Sequence, residues 1–246
     1  GLNGGSPIYS GYGNLTVVNQ GFPLYYFWGY EYDGVYQTDQ EVLDHLHGYT
    51  ALDTPFHAGD AKYKDNNGDG KIDDNDRTKL GSSIPWLNYG LNLGASWKNF
   101  DLQIFFQGVA GNKIYNQMRH RLEGNGSNSI LSPEMADAWM QRTDEAGNTY
   151  FGGSIPNPKN SVNYYVSDRF LENGSYFRLK NLQIGYTIPT KAIRKAGLES
   201  CRFYIQGNNL LTATKYTGFD PEVGGSIDYG NYPQARSFIF GANISF

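Results

Sequence analysis

The twelve residues DNNGDGKIDDND, Asp65 to Asp76, space oxygen donors as a hard divalent cation requires. Calcium takes six to eight oxygens, and an EF-hand loop supplies them from positions 1, 3, 5, 7 (through the backbone carbonyl), 9 and 12, with Gly at 6. Counted from Asp65, those positions are Asp65, Asn67, Asp69, Lys71, Asp73 and Asp76, with Gly70 at the sixth. Ile72 stands where such loops carry an apolar anchor. The last ligand is Asp rather than Glu, and the shorter side chain weakens bidentate capture. Five Asp against one Lys repel one another, and a cation relieves that repulsion. The competing reading is a solvated Asx-rich turn. Neither flank, AKYK or RTKLGSSIPW, forms an amphipathic helix, so the calcium would be structural, a clip that lowers the entropy of a long connection.

No other constellation offers chemistry. His45 and His47 are two apart and point to different faces of a helix, which makes a poor metal pair. These two, with His57 and His120, read as solvated loop residues. No nucleophile–His spacing or paired carboxylate frame is present, so an enzyme is not expected. Lys113, Arg119, His120 and Arg121 form a small basic cluster, read as a solvated loop face. Trp139, Tyr150, Phe151, Tyr164 and Tyr165 are loop aromatics suited either to stacking on sugars or to packing. The net charge of −4 argues against nucleic acid, which needs a basic face.

The elements that carry these residues are strands. In 246 residues there are 31 Gly and 20 Tyr, while charged residues are only 18%, a composition of strands and turns. In WLNYGLNLGASWKNFDLQIFFQGV, Leu87, Tyr89, Leu91, Leu93, Ala95 and Trp97 alternate with Asn88, Gly90, Asn92, Gly94 and Ser96. After Lys98-Asn99 the alternation resumes with Phe100, Leu102, Ile104 and Phe106, which predicts a β-hairpin. Leu87 to Trp97 extends about 33 Å as a strand. Tilted as in an outer-membrane barrel, it spans the apolar band of about 25 Å. NLQIGYTIP, CRFYIQGNN and SFIFGANISF repeat the pattern, and Cys201 falls on the apolar side by parity. GFPLYYFWGYEYDGVY reads as a further strand with aromatics on both faces. No apolar run is long enough for a transmembrane helix, and the mean hydropathy of −0.55 does not exclude a barrel, whose polar loops dilute the average.

Connections alternate short (98–99, 190–200) and long (37–84, 110–173, 214–234). Six strands counted from Leu24 put every long loop on one side, the outer-membrane pattern, with the last strand ending on the periplasmic side. Helices are expected at 38–49 and at 132–142, the latter with Ser132 as N-cap and Pro133 at the first helical position.

These motifs resemble the SusC/RagA family of TonB-dependent outer-membrane transporters. The likeness runs through GDAKYKDNNGDGKIDDNDRTKLGSSIPWLNYGLNLGASWKNFDLQIFFQGVAGNKIYN, DRFLENGSYFRLKNLQIGYTIP, GNNLLTATKYTGFDPEV and YPQARSFIFGANISF, and covers nearly the whole chain. The resemblance implies an all-β fold: residues 1–246 as the C-terminal portion of a transmembrane antiparallel β-barrel, about the last six of 22 strands, with long extracellular loops bearing short helices. Gly1 would then open a piece of a longer protein. It further implies energy-coupled import of glycans or peptides, a SusD-like surface lipoprotein as lid, and contact with TonB through a missing N-terminal region. The plug and the other strands of the same transporter would be its immediate partners. Two alternatives remain open, a secreted calcium-stabilised β-sandwich carbohydrate-binding module and a passive porin-like channel. Phe246, closing an alternating apolar strand, resembles the signal for barrel assembly. Its deletion should lower membrane-insertion yield, measured by the fraction of heat-modifiable barrel in outer-membrane extracts, without changing calcium binding at 65–76.

Overall fold

The computed structural model describes residues 6–123 and 132–246. The chain divides into two compact units: Gly1–Ile84 with Lys113–Glu172 and Gly225–Gly230, and Pro85–Asn112 with Asn173–Gly224 and Asn231–Phe246. Residues 124–131 of the expected 110–173 loop lie outside the described residues.

The second unit is a sheet of five long strands: β1 (Leu87–Trp97), β2 (Phe100–Ala110), β3 (Tyr176–Thr187), β4 (Ser200–Thr214) and β5 (Ser237–Ser245). They pair in chain order, each antiparallel to the next. The register joins the apolar positions of every strand into continuous rows. Ala95 faces Leu102, Leu102 faces Ile184, Ile184 faces Ile205, and Ile205 faces Phe240. One residue along runs a row of the opposite face: Ser96, Asp101, Gly185, Tyr204 and Gly241. A slip of one residue in any strand would exchange the two faces, so the sequence alternation and the pairing specify each other. A bulge between Leu179 and Asn181 preserves this. Leu179 and Leu182 are an odd number apart, and the extra residue returns both to the apolar side, against Phe106 and Ile104.

The turn between β1 and β2 is the two residues expected, with Lys98 at a φ of 54°. Asn99 Nδ2 donates to the Thr187 carbonyl at 2.7 Å, fixing that end of the sheet. The connection from β3 to β4 is also short and holds a helical turn, Thr190–Ile193, followed by a 3₁₀ turn, Arg194–Ala196. The two long excursions, 111–175 and 215–236, both leave from the opposite end.

Among the described residues this sheet has five strands, not six. The stretch from Leu24 breaks into two short strands, Tyr26–Gly29 and Tyr32–Val35, that belong to the first unit. Its aromatics explain the difference. Tyr26, Phe27, Tyr30 and Tyr36 are all buried, which a strand with one face open to its surroundings does not allow.

The first unit is built from short strands around aromatic clusters. Ile8–Ser10, Thr16–Val18, Tyr26–Gly29 and Thr78–Ser82 form one antiparallel sheet. One cluster packs Tyr36, Val42, Leu46, Phe56, Tyr63 and Ile72; a second packs Leu15, Phe27, Tyr115 and Phe170. The helix expected at 38–49 is present as Asp39–His45, capped by Thr38, whose side chain accepts from Glu41 N at 3.1 Å. The helix expected at 132–142 is not. Pro133–Asp137 is a 3₁₀ turn, Ser132 makes no side-chain cap, and Met140–Thr143 is a strand paired with Thr149–Gly152. Trp139 stacked on Phe151 at 5.0 Å and Arg142 Nε donating to the Gly152 carbonyl at 3.0 Å favour that hairpin over helical propensity. Gln117–Leu122, read from sequence as loop, is a short helix capped by Asn116 Oδ1.

Tyr63 is fully buried, and its hydroxyl donates to the Val162 carbonyl at 2.9 Å. Tyr63→Ala should therefore cost about 3–5 kcal/mol by the precedent of large-to-small core changes. Tyr63→Phe, which removes one hydrogen bond from a Val162 carbonyl that still accepts from Tyr165 N, should cost only about 0.5–1.5 kcal/mol. Urea unfolding followed by tryptophan fluorescence would measure both, and equal losses would contradict this placement.

Candidate functional site

The two faces of the five-stranded sheet differ in chemistry. The apolar rows are open: Leu91 is 49% exposed, Ile184 50% and Phe240 75%. They are not sealed in an interior between two stacked sheets, which sets aside the β-sandwich module. Trp97, Phe100, Tyr186, Phe203 and Phe246 extend the same surface towards the short-turn end. Cys201 falls in these rows opposite Ile244, as parity requires, and is buried.

The other face is polar. Gly94, Gln103, Gln183 and Gln206 make one of its rows, which ends at Ile239 on β5. Arg202 reaches across β3 to Asp101, with Nε donating to Oδ1 at 2.9 Å and Nη2 to Oδ2 at 2.5 Å. The pair crosses above Gly185, where a Cβ would come within 2.4 Å of both side chains. Glycine there makes room for the bridge. A surface apolar on one side and hydrogen-bonding on the other, on strands of 9 to 15 residues, suits hydrocarbon against one face and water or protein against the other.

The acidic loop lies in the first unit. Gly70 takes a φ of 75°, a left-handed turn that a side chain would strain. Asp65 accepts from Gly68 N at 2.6 Å and Gly70 N at 2.7 Å. Asn67 Oδ1 accepts from Asp69 N, Asp69 Oδ1 from Lys71 N, and Asp73 Oδ1 from Asn75 N. Asp76 is buried and accepts from Asn66 N at 2.9 Å and Asp73 N at 2.8 Å. Ile72 is anchored in the first aromatic cluster. The side chain of Lys71 turns away from the loop to lie over the Tyr49 ring, leaving only its carbonyl as a donor.

Electrostatics separates the two end carboxylates. Burial pushes Asp76 above the ordinary carboxylate range, and the Asp65 charge adds to this against three backbone N–H groups. Asp65 is held below that range: burial opposes ionisation, but the N–H groups of Gly70, Gly68 and Asp69 outweigh it. Of the six expected ligands, Asp65 and Asp76 are brought together, while Asn67, Asp69 and Asp73 chiefly brace their own backbone. Among the described residues, no group of three or more His, Cys, Asp or Glu side chains is arranged to hold a metal ion. The residues fit calcium in donor type, while their arrangement gathers Asp65 and Asp76 and not the carboxylates between them.

The histidines divide. His47 and His57 are exposed, as expected of loop residues. His45 is half-buried and bonds the Tyr36 hydroxyl through Nδ1 at 2.7 Å. His120 is fully buried among Tyr12, Tyr115, Tyr164 and Phe170, with Nε2 against the Tyr164 carbonyl. The basic cluster is therefore no uniform solvated face: Arg119 also pairs with Glu123 at 2.6 Å. Alternation at positions 113–121 is too short to have revealed this. Of the loop aromatics, Tyr164 is buried and Tyr165 stacks on Tyr63, while Tyr150 and Phe151 remain exposed.

The class defined by this sheet is an antiparallel all-β protein whose long strands carry one apolar and one polar face. No protein-family profile matches the chain. It is 33% identical over 242 residues to TonB-dependent receptor P3 of Formosa agariphila (strain DSM 15362 / KCTC 12365 / LMG 23005 / KMM 3901 / M-2Alg 35-1), covering 94% of this chain and 23% of the relative. It is 28% identical to TonB-dependent receptor SusC of Bacteroides thetaiotaomicron, over 75% of this chain and 17% of that protein. Its fold matches a chain of the RagAB peptide importer in the open-open state with a TM-score of 0.72 and 26% identity, covering 94% of this chain and 23% of that one. The chain belongs with the SusC/RagA-type TonB-dependent receptors, which are outer-membrane proteins. It spans about a quarter of the length of TonB-dependent receptors P3 and P26 of Formosa agariphila. Those relatives are receptors and importers, in keeping with a non-enzymatic role.

A charge on the apolar face should be costly and one on the polar face should not. Leu93→Arg, near the middle of β1, should destabilise the inserted receptor by about 2–4 kcal/mol. Asn92→Arg, one residue away, should change it little. Urea titration of the receptor refolded in lipid vesicles would measure both, and equal effects would remove the membrane assignment of the faces.

Proposed function

We propose that this chain is the C-terminal part of an outer-membrane, TonB-dependent importer of glycans or peptides. The observation that carries the proposal is the apolar face running unbroken through five antiparallel strands, in a chain that matches a quarter of such receptors. The remaining strands and a plug belong to the rest of the same transporter and would pair with the outer edges of β1 and β5, which have no neighbour among the described residues. The long excursions would be extracellular and the end of β5 periplasmic, since short turns mark the periplasmic side of such barrels. A SusD-like lipoprotein would cover the outer mouth, and TonB would engage the part of the protein outside this chain. The likeness to a peptide importer supports peptide cargo, and glycan cargo is what the resemblance to the SusC/RagA family implies. Purification of the full-length receptor in detergent, with mass spectrometry of what stays bound, tests the partner. A co-purifying lipoprotein is expected, and a receptor that is always alone would overturn that part.

Calcium at Asp65–Asp76 belongs to the same proposal. Asp65 and Asp76 would hold the ion with the Lys71 carbonyl and Asn67, Asp69 and Asp73 completing the shell, and the ion would supply positive charge against five carboxylates. The raised position of Asp76 supports this: its ionised form is disfavoured in the folded loop, so stability contributed by the proton is lost as pH rises through its titration, and a bound cation would replace it. Calorimetric titration of the full-length receptor should show heat below millimolar calcium that Asp65→Asn abolishes. No heat at millimolar calcium would remove the claim.

A further inference from the structure

The limbs of the last long excursion, 215–224 and 231–236, fold back over the polar face of their own sheet. Arg178 on β3 faces Gln107 and Thr212 in register, which places it among the polar rows, at the end from which the long connections leave. It is only 2% exposed although it is charged, and Tyr176, two residues away on the same face, is buried as well. Residues of the excursion enclose it. Arg178 Nη2 donates to Asp220 Oδ1 at 2.6 Å and Nη1 to Glu222 Oε2 at 2.7 Å, while Nε donates to Thr212 Oγ1 at 2.9 Å. Lys180, at the bulge of the same strand, adds a second bond to Glu222 at 2.8 Å.

Asp220 ties both limbs to this point. Besides Arg178 it accepts from Glu222 N at 2.8 Å and from Gln234 N, on the returning limb, at 2.9 Å. Asn209 Nδ2 holds the returning limb again at the Ala235 carbonyl. Asp220, Pro221 and Tyr216 are buried as a result. A cavity of about 320 Å³ remains between limbs and strands, lined in part by Thr212, Phe219, Gln234 and Arg236. An exposed loop has no need of a nearly fully desolvated guanidinium with two carboxylates. Such a group is costly unless every partner stays in place, so it defines one position of the loop.

We propose that these limbs form an inward-folded constriction over the lumenal face of the barrel, latched by Arg178 and Asp220, which limits the size of what passes along that face. The proposal rests on the barrel reading above, where the polar rows face the lumen. Its occupied position is the one seen here. Breaking the latch frees the limbs and widens access to the polar rows beside β2 and β3.

The test uses the full-length receptor in membranes, with Cys201→Ser as background and Gln107→Cys as reporter, directly opposite Arg178 in register. Labelling rates are compared for a small methanethiosulfonate and a polyethylene-glycol maleimide. With the latch intact, the small reagent should react and the large one should be strongly retarded. Asp220→Asn should raise the rate for the large reagent by about tenfold while leaving the small one little changed. Heat-dependent gel mobility confirms that the barrel is assembled. Should Asp220→Asn not assemble, Glu222→Gln, at the half-exposed end of the network, serves as the second variant. An assembled variant with unchanged size discrimination would overturn the constriction. Ile184→Cys separates the two layers of the argument: labelling of this apolar-face position by water-soluble reagents would overturn the barrel reading itself, whatever the latch does.

Discussion

Everything in the larger sheet depends on the pairing register of β1 to β5. Backbone N–H and C=O groups in hydrocarbon must be satisfied within the protein, and adjacent antiparallel strands do this while leaving side chains free to alternate. The rows from Ala95 to Phe240 and from Ser96 to Gly241 are one residue apart, yet one is aliphatic and aromatic and the other, Tyr204 apart, small or polar. No single strand could hold that separation alone. The bulge at Leu179–Asn181 shows how strongly it is maintained, since a local loss of pairing is accepted to keep Leu179 and Leu182 on the same side.

The polar face is organised by where bulk is missing. Gly185 lets Arg202 cross to Asp101, and both groups remain partly solvent-accessible. In water such a pair contributes little, on the order of 0–1 kcal/mol. Its effect is to fix where charge sits on that face. Arg178 is the opposite case, with its charge enclosed by Asp220 and Glu222. Desolvation there makes the whole set interdependent, so removing one member leaves another stranded.

The first unit meets a different constraint. Its core is rich in tyrosine, and several of the buried hydroxyls find a partner, although that of Tyr115 makes no hydrogen bond among the described residues. Tyr63 finds the Val162 carbonyl, Tyr36 finds His45, and Tyr164 donates to the carbonyl of Glu123. Asp60, buried beside them, gathers Asn160, Asn163 and the His57 N–H. Short strands can form this unit because side chains, rather than long ladders, bind its segments together. The acidic loop is held in the same way, by Asx-type bonds and by Ile72 in the aromatic cluster.

Period-two alternation made β1 to β5, their apolar faces and the short Lys98-Asn99 turn legible in the sequence, because side-chain direction in a strand follows residue number alone. The acidic loop and its Ile72 anchor were legible for a similar reason, a fixed local spacing. What depended on distant partners was not. The stretch after Leu24 reads as a sixth strand until Thr16–Val18 and Thr78–Ser82 are seen beside it. Helical residues at 138–142 give way to a hairpin because Thr149–Gly152 lies opposite. His120 is a loop histidine until four aromatic rings close round it, and Arg178 is one polar position among many until a loop more than 40 residues on supplies its counter-charges. Burial and charge pairing are properties of neighbours in space, and only the tertiary structure decides who those are.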